Sequence, residues 1–268
     1  MGTVPGRAAV HGPKKRFGQH FLHDPGVIAR IVRILAPRPG QPLVEIGPGL
    51  GALTVPVLEA AGALRAVELD RDVIPRLQQR CAGKGALDVL QADALKVDFR
   101  ALAAGTKLRL FGNLPYNIST PLLFHLLDHS GAIEDMHFML QKEVVDRMTA
   151  APGSPDYGRL TVMLGARAQA EALFTVGAGA FSPPPKVESA MVRLRPRPAS
   201  YAIPDFARFE EVVRRAFGQR RKTLANALKG VLDPESIRRA GVDPGVRAEE
   251  LAPEQFAALA ALSKAGVP

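Results

Sequence analysis

The sequence predicts an α/β fold, in which a doubly wound, mostly parallel sheet is followed by a small all-helical domain. Three observations support this prediction. Short apolar runs alternate with segments of helical periodicity as far as residue 197. A glycine turn follows the first run and acidic residues follow the next two, at the expected carboxyl ends of parallel strands. Beyond residue 198 the strand pattern stops and short helical segments begin.

The bulk composition limits the classes of protein to be considered. A chain of 268 residues is long enough for one α/β domain and a smaller second unit. Its 35 Lys and Arg residues against 26 Asp and Glu residues give a formal charge of +9, so a polyanion or an anionic membrane surface is a natural partner. The charge alone cannot choose between these two partners. The sequence has no apolar run of membrane-spanning length and no secretory signal, so a soluble, cytoplasmic protein is expected, with no membrane as its partner.

Cysteine and histidine usage argues against metal or disulfide chemistry. Cys81 is the only cysteine, which excludes an intramolecular disulfide and a cysteine-based metal cluster. The histidines other than His20 have no metal-ligand spacing, so no metal site is predicted. Residues 1–13 are rich in Gly, Pro and Ala without periodicity, and are expected to be a disordered leader.

The elements of the first domain follow from the apolar pattern. An extra helix is expected first, with Asp24 as its N-cap and Pro25 at its first position. Five buried strands are predicted at residues 43–46, 64–69, 87–91, 108–111 and 137–140. Intervening helices are predicted at residues 53–61, 72–81 and 120–129. A late strand pair, 172–176 and 189–194, is expected to lie antiparallel at the edge of the sheet.

The last part of the chain is predicted to be helical. We place a domain boundary near residue 198, so that the first domain covers residues 14–197 and the second covers 198–268. Helices of the second domain are predicted at residues 206–217, 222–228, 234–240 and 253–263.

The glycine turn reads Glu45-Ile-Gly47-Pro48-Gly49-Leu-Gly51. Glycines there let the backbone pass close beneath a bound nucleoside and open a helix N-terminus toward it. Pro48 removes a backbone donor and Glu45 places negative charge nearby, which disfavours the pyrophosphate of NAD. The alternative is a tight turn without a ligand.

Two acidic residues strengthen the interpretation as a nucleoside site. Glu68 closes the second strand, 21 residues after Gly47, where its carboxylate can accept hydrogen bonds from ribose hydroxyls. Asp93, just past the third strand, is placed to accept from an adenine amino group. A cofactor with an adenosine but no pyrophosphate, namely a sulfonium cofactor, suits these residues best. The alternative is that both acids cap helices.

A second motif, Asn113-Leu114-Pro115-Tyr116, follows the fourth strand. The Asn113 side-chain carbonyl and the Leu114 main-chain carbonyl can accept the two protons of an adenine N6, which draws that amine toward tetrahedral geometry. Pro115 fixes the direction of the Leu114 carbonyl, and Tyr116 can stack on the base. This pattern predicts methyl transfer to an exocyclic amine, and the alternative is a type I turn.

Together these motifs resemble the ribosomal RNA adenine dimethyltransferases of the bacterial KsgA type. The resemblance covers nearly the whole chain, in segments 15–22, 45–51, 113–116, 140–143, 181–187 and 219–222 together with Glu68 and Asp93. It implies a Rossmann-like methyltransferase domain, a helical RNA-binding C-terminal domain, a monomer, and S-adenosylmethionine as cofactor. It also implies dimethylation of two adjacent adenines in the loop of the 3′-terminal hairpin of 16S rRNA in the small ribosomal subunit.

The resemblance also implies roles for individual residues. The segment 15–22 would fold over the cofactor, which would be held by His20, Leu22, Gly47, Glu68, Asp93 and Asn113. Phe181 would stack on the target adenine opposite Tyr116; the alternative is a buried anchor for the proline loop 183–185. The family usually has Asn where this chain has His20, so cofactor contact of altered strength is expected, the alternative being a surface residue without contact.

Positive charge is concentrated in three short clusters: Lys14, Lys15 and Arg16; Arg214 and Arg215; and Arg220, Arg221 and Lys222. Composition alone favours solvated helix faces. The resemblance favours RNA-phosphate contacts for Arg220, Arg221 and Lys222.

Three other functions compete with this one. The macrolide-resistance branch of the superfamily methylates an adenine of 23S rRNA, but segments 181–187 and 219–222 favour the small subunit. A non-catalytic nucleic-acid-binding relative is disfavoured by the intact Asn113–Tyr116 motif and by Glu68 and Asp93. An NAD dehydrogenase is disfavoured by Pro48 and Glu45.

Overall fold

A computed structural model describes residues 20–219 and 221–263. Its strands are β1 (Phe21–Leu22), β2 (Leu43–Ile46), β3 (Ala63–Glu68), β4 (Ala86–Gln91), β5 (Leu108–Asn113), β6 (Ile133–Gln141), β7 (Ala168–Val176), β8 (Phe181–Ser182) and β9 (Ser189–Pro196). Its first helices are α1 (Pro25–Leu35), α2 (Thr54–Ala61), α3 (Ile74–Cys81), α4 (Phe99–Ala103), α5 (Ser119–Asp128), α6 (Lys142–Thr149) and α7 (Arg159–Gly165). Its last helices are α8 (Phe206–Gly218), α9 (Leu224–Ala227), α10 (Pro234–Arg239) and α11 (Pro253–Leu262).

The main sheet has the strand order β4-β3-β2-β5-β6-β9-β7 within these residues. β4, β3, β2, β5 and β6 run parallel, whereas β9 is antiparallel to both β6 and β7. The predicted parallel sheet and its antiparallel edge pair are therefore confirmed. The chain reverses its direction of winding beside β2, so the carboxyl ends of β2 and β5 border a crevice where α/β proteins bind ligands.

Two strands, β6 and β7, begin four residues earlier than the apolar pattern predicts. β6 starts at Ile133 and includes a charged residue, Asp135, which is buried against Arg109 of β5. The apolar pattern missed this part of the strand because it contains that charge. β7 starts at Ala168 and is the outermost strand of the sheet. The apolar pattern missed its first residues because an edge strand carries exposed polar residues, here Gln169 and Glu171.

Apolar clusters cover both faces of the sheet, which confirms the doubly wound arrangement. Along β5, Leu110 belongs to the cluster that contains α5, and Phe111 belongs to the cluster that contains α1, α2 and α3. Such alternation is the period of two expected for a strand buried on both sides. At the start of α1, Asp24 accepts a hydrogen bond from Val27 N at 2.8 Å, as predicted for its N-cap.

The C-terminal helices α8 to α11 pack against α7, a helix that precedes the predicted boundary at residue 198. Val162 and Met163 of α7 belong to the apolar cluster formed by α8 to α11, whereas Leu160 and Leu164 belong to the sheet cluster. Tyr157 donates a hydrogen bond to Leu251 O at 2.8 Å. The two cores therefore share one helix. None of the helices in the described ranges is long and apolar enough to cross a membrane.

Candidate active site

A cavity of about 670 Å³ lies at the carboxyl ends of β2, β3, β4 and β5. The structure brings nearly all of the predicted site residues to its wall. Those that line it are His20, Leu22, Gly47, Glu68, Asp93, Asn113, Leu114, Pro115 and Tyr116. Residues from four strand ends and from the segment before α1 therefore share one cavity.

The glycine turn is shaped by contacts that exclude side chains. Gly51 has a φ of +84°, and a Cβ there would lie 2.9 Å from Leu77 Cδ1. Gly49 N donates to Glu68 Oε2 at 3.2 Å, and Asp70 N donates to Glu68 Oε1 at 2.8 Å. Burial raises the pKa of Glu68 despite these hydrogen bonds. Two backbone amides therefore fix the orientation of the Glu68 carboxyl group at the cavity wall.

Glu45 corrects one expectation from the sequence. Its side chain is only 2% exposed, and burial raises its pKa from 4.5 to about 8, with a smaller contribution from the neighbouring Glu68. The carboxyl group is therefore mostly protonated at neutral pH and does not place a fixed negative charge beside the turn. Pro48 remains as the argument against a pyrophosphate.

The raised pKa of Glu45 makes stability depend on pH. Between about pH 4.5 and 8 the folded state keeps a proton that the unfolded state releases, so stability falls as pH rises through this window. Glu45→Gln removes this dependence, and we expect it to gain on the order of 3 kcal/mol over wild type between pH 4.5 and 7. Urea unfolding followed by circular dichroism at several pH values measures the gain. Exposed Glu134→Gln is the control, and parallel curves for Glu45→Gln and wild type would contradict the prediction.

Asp93 caps a short helical turn and also lies at the cavity wall, so the two interpretations drawn from the sequence do not exclude each other. Its Oδ1 accepts a hydrogen bond from Leu95 N at 3.0 Å and so caps the short helical turn Ala94–Lys96. The same carboxylate lines the cavity. Capping uses one oxygen, and Oδ2 has no hydrogen-bond partner within residues 20–219 and 221–263.

The Asn113–Tyr116 segment is held against β2 and β6. A Cβ on Gly112 would lie 2.3 Å from Ile46 O, so only glycine permits this close approach immediately before Asn113. Leu114 N donates to Met139 O at 3.2 Å. Asn113 Nδ2 donates to His20 O at 3.0 Å, which leaves Oδ1 as the acceptor of the side chain.

Tyr116 is held on its ring face and at its hydroxyl. Its ring stacks on the imidazole of His20, with centroids 5.7 Å apart and planes at 28°. The hydroxyl groups of Tyr116 and Ser189 share a hydrogen bond of 2.7 Å. Sequence reasoning missed Ser189, although a serine at the first position of an apolar strand was a signal that a polar partner lies nearby.

A short strand pair carries the first described residues across the cavity. Phe21 pairs with Ser182 and Leu22 pairs with Phe181, and His20 Nδ1 donates to Pro183 O at 2.8 Å. Phe181 is 2% exposed, packs in the same apolar cluster as Leu22, and is not part of the cavity wall. This burial agrees with the alternative of an anchor for the proline loop, and stacking of Phe181 on a target adenine stays a prediction.

The predicted cationic clusters differ in how their charge is used. Arg221 and Lys222 are exposed, and Lys222 N donates to Gln219 O at 2.9 Å. Arg214 and Arg215 both donate to Glu211, at 2.7 Å and 2.5 Å, and these bonds lower the pKa of Glu211. The positive charge that Arg214 and Arg215 can offer to RNA is therefore smaller than the sequence predicted, because the Glu211 carboxylate partly neutralises it. Lys14, Lys15, Arg16, Arg220 and the leader 1–13 lie outside the described residues.

The sheet order, the cavity at the strand ends and the Asn113–Tyr116 motif define a Rossmann-like methyltransferase. Among solved structures, the chain is similar to a dimethyladenosine transferase from Plasmodium falciparum, at 27% identity and a TM-score of 0.74 over 90% of this chain and 96% of that one. It is also similar to the 23S rRNA methyltransferase ErmE, at 28% identity and a TM-score of 0.71 over 90% of this chain and 98% of that one.

Sequence comparison narrows this class to a family. The model of the ribosomal RNA adenine dimethylase family matches residues 10–264. Ribosomal RNA small subunit methyltransferase A of Xanthomonas campestris is 59% identical over 248 residues, covering 92% of this chain and 95% of that protein. The protein of that name from Xanthomonas oryzae is 58% identical over the same length. The chain therefore belongs to the ribosomal RNA adenine dimethylase family and is a methyltransferase, which confirms the resemblance seen in its motifs.

Proposed function

We propose that the protein uses S-adenosylmethionine to dimethylate N6 of two adjacent adenines in the loop of the 3′-terminal hairpin of 16S rRNA, in the small ribosomal subunit. The observation that carries the proposal is the placement of Asn113, Leu114 and Tyr116 on the wall of the same cavity as Glu68 and Asp93. Relatives at 58–59% identity named as small-subunit methyltransferases support the choice of RNA.

The residues of the cavity suit this cofactor. Glu45 Oε2 is buried and has no hydrogen-bond partner in the described part of the chain, so a cation in the cavity would find an ionisable carboxyl group. Glu68 would accept from the ribose hydroxyls, and Asp93 Oδ2 from the adenine amine. Gly47 and Leu22 would contact the nucleoside and methionine portions. When bound, S-adenosylmethionine supplies an electrophilic methyl carbon.

The residues around the target base would act by orienting it. Asn113 Oδ1 and Leu114 O would accept the two N6 protons, which directs the nitrogen lone pair into the cavity. Tyr116 would stack on the base, and its π face would stabilise positive charge that develops on N6. His20 now occupies a face of the Tyr116 ring, so a base stacked on that face would have to displace the imidazole. The surplus proton of the methylated amine passes to water.

Methyl transfer to purified RNA substrates tests the proposal. The protein is incubated with tritiated S-adenosylmethionine and either unmethylated small subunits or 23S rRNA, and the labelled nucleosides are mapped. Dimethyladenosine at two adjacent adenines of the 3′-terminal hairpin is expected. Label found only on 23S rRNA would overturn the proposal in favour of the activity of the macrolide-resistance branch. No label on either RNA would also overturn it.

The exposed pair Arg221 and Lys222 is proposed to contact RNA phosphates. Replacing both with alanine is expected to raise the KM for small subunits about tenfold and to reduce the salt dependence of log KM by about 2, with little change in kcat. Steady-state kinetics at several salt concentrations measure both quantities. Arg214→Ala is the matched control, because Glu211 already pairs with that guanidinium. Equal effects of the control and the double variant would contradict the assignment.

A further inference from the structure

Ser189 is a buried polar residue in contact with the proposed catalytic loop. It is 0% exposed at the start of β9, and its hydroxyl lies 2.7 Å from that of Tyr116. The same backbone position pairs with Gln141 of β6 on one side and with Val176 of β7 on the other. Strands on both sides therefore fix the position from which Ser189 reaches the tyrosine.

The segment 140–143 reinforces this position, although no residue of that segment lines the cavity. Its Gln141 is the β6 partner of Ser189, and Lys142 N donates to Glu188 O at 2.9 Å. Glu188 and Ser189 are thus both held at the junction of β6 and α6. This arrangement gives a physical role to a sequence motif that the cavity itself does not explain.

Tyr116, in contrast, lies in the connection between β5 and α5. A flat ring that stacks on a base must be fixed in position and in tilt, and a shift of about 1 Å at a reacting centre can cost about a hundredfold in rate. The Ser189 hydrogen bond is the contact that holds the far end of this ring. It joins a loop side chain to the interior of a seven-stranded sheet in the described structure.

We propose that Ser189 is a positioning residue for methyl transfer, which fixes the Tyr116 ring in the orientation against which the target adenine stacks. The inference rests on the proposed function of Tyr116. Ser189 does not line the cavity and acts only through the tyrosine hydroxyl. Its effect must therefore depend on that hydroxyl being present.

A double-mutant cycle tests this dependence. Ser189→Ala, Tyr116→Phe and the double variant are assayed for methyl transfer to small subunits at saturating RNA. Each single variant is expected to lower kcat about ten- to a hundredfold with the KM for S-adenosylmethionine unchanged. The double variant should be no slower than the slower single variant, because both changes remove the same hydrogen bond. Ser130→Ala, a serine in the turn before β6, is the control and should retain wild-type kinetics.

The outcomes separate this inference from the proposed function. Losses that multiply in the double variant, or a Ser189→Ala variant with wild-type kcat, would overturn the positioning role while leaving the proposed function intact. A loss of kcat in Ser189→Ala but not in Tyr116→Phe would also overturn it, because the effect would then come from the sheet. Wild-type protein that does not methylate small subunits would instead overturn the proposed function. Thermal melts of all variants identify any loss caused by unfolding.

Discussion

Replacing Asn113 with alanine is expected to lower the rate of methyl transfer by about 10²- to 10³-fold. The change removes Oδ1, one of the two acceptors that would orient the adenine N6, and losing one preorganised polar group at a reacting centre has an effect of this size. It also removes the hydrogen bond from Nδ2 to His20 O, which ties the segment before α1 to the end of β5. Single-turnover methyl transfer at saturating RNA and cofactor measures the rate.

Asn117→Ala provides a matched control for Asn113→Ala. Asn117 lines the same cavity and is exposed, so its loss should change the rate by no more than about twofold. Equilibrium dialysis with S-adenosylmethionine separates the contribution of Asn113 to cofactor binding from its contribution to the chemical step. Equal losses of rate in the two variants would contradict the role given to Asn113.

The largest expected loss of stability follows from Asp135→Ala. Asp135 accepts hydrogen bonds from Arg109 Nε at 3.1 Å and from Nη2 at 3.0 Å, and these two side chains are only 12% and 9% exposed. Arg109 also donates to Gln41 at 3.1 Å. Removing the carboxylate leaves a buried guanidinium without its counter-charge, which typically costs about 3 to 5 kcal/mol. Urea unfolding monitored by circular dichroism measures this change in the free energy of unfolding.

An exposed ion pair gives the comparison for Asp135. Asp88 accepts from Arg65 Nε at 2.7 Å, but its side chain is 64% exposed. Asp88→Ala should therefore cost less than about 1 kcal/mol. The double variant Arg109→Met with Asp135→Leu should recover most of the stability lost in Asp135→Ala, because no unpaired charge remains. A cost for Asp135→Ala no larger than that for Asp88→Ala would show that the buried pair is not the source of stability.

The order of the elements could be predicted because apolar periodicity is a local property of the chain. The strand at residues 43–46 was predicted with its observed bounds, since every residue of β2 is buried. The first half of β6 was missed, because Asp135 is compatible with a buried strand only when Arg109 lies opposite in β5. That pairing joins residues far apart in the sequence, which a local pattern does not reveal.

The features of the candidate site also fall into those that a local sequence pattern predicts and those that depend on tertiary packing. Gly47, Glu68, Asp93 and the Asn113–Tyr116 motif could be placed because each follows a strand, and parallel strands bring their carboxyl ends together. The hydrogen bond of Ser189 to Tyr116 and the raised pKa of Glu45 could not be predicted, and the sequence left burial of Phe181 as one of two alternatives. Each of them depends on how strongly tertiary packing excludes water at one side chain.

The pairing of β1 with β8 has a consequence for how the protein is made. A nascent chain presents residues 21–22 early, but their partners at 181–182 emerge only about 160 residues later. At about 5–20 residues per second the wait lasts roughly 8 to 30 seconds. Until β9 also emerges, the edge of β6 stays open to other strands. The cavity wall is therefore completed late in translation, after most of the sheet has had time to assemble.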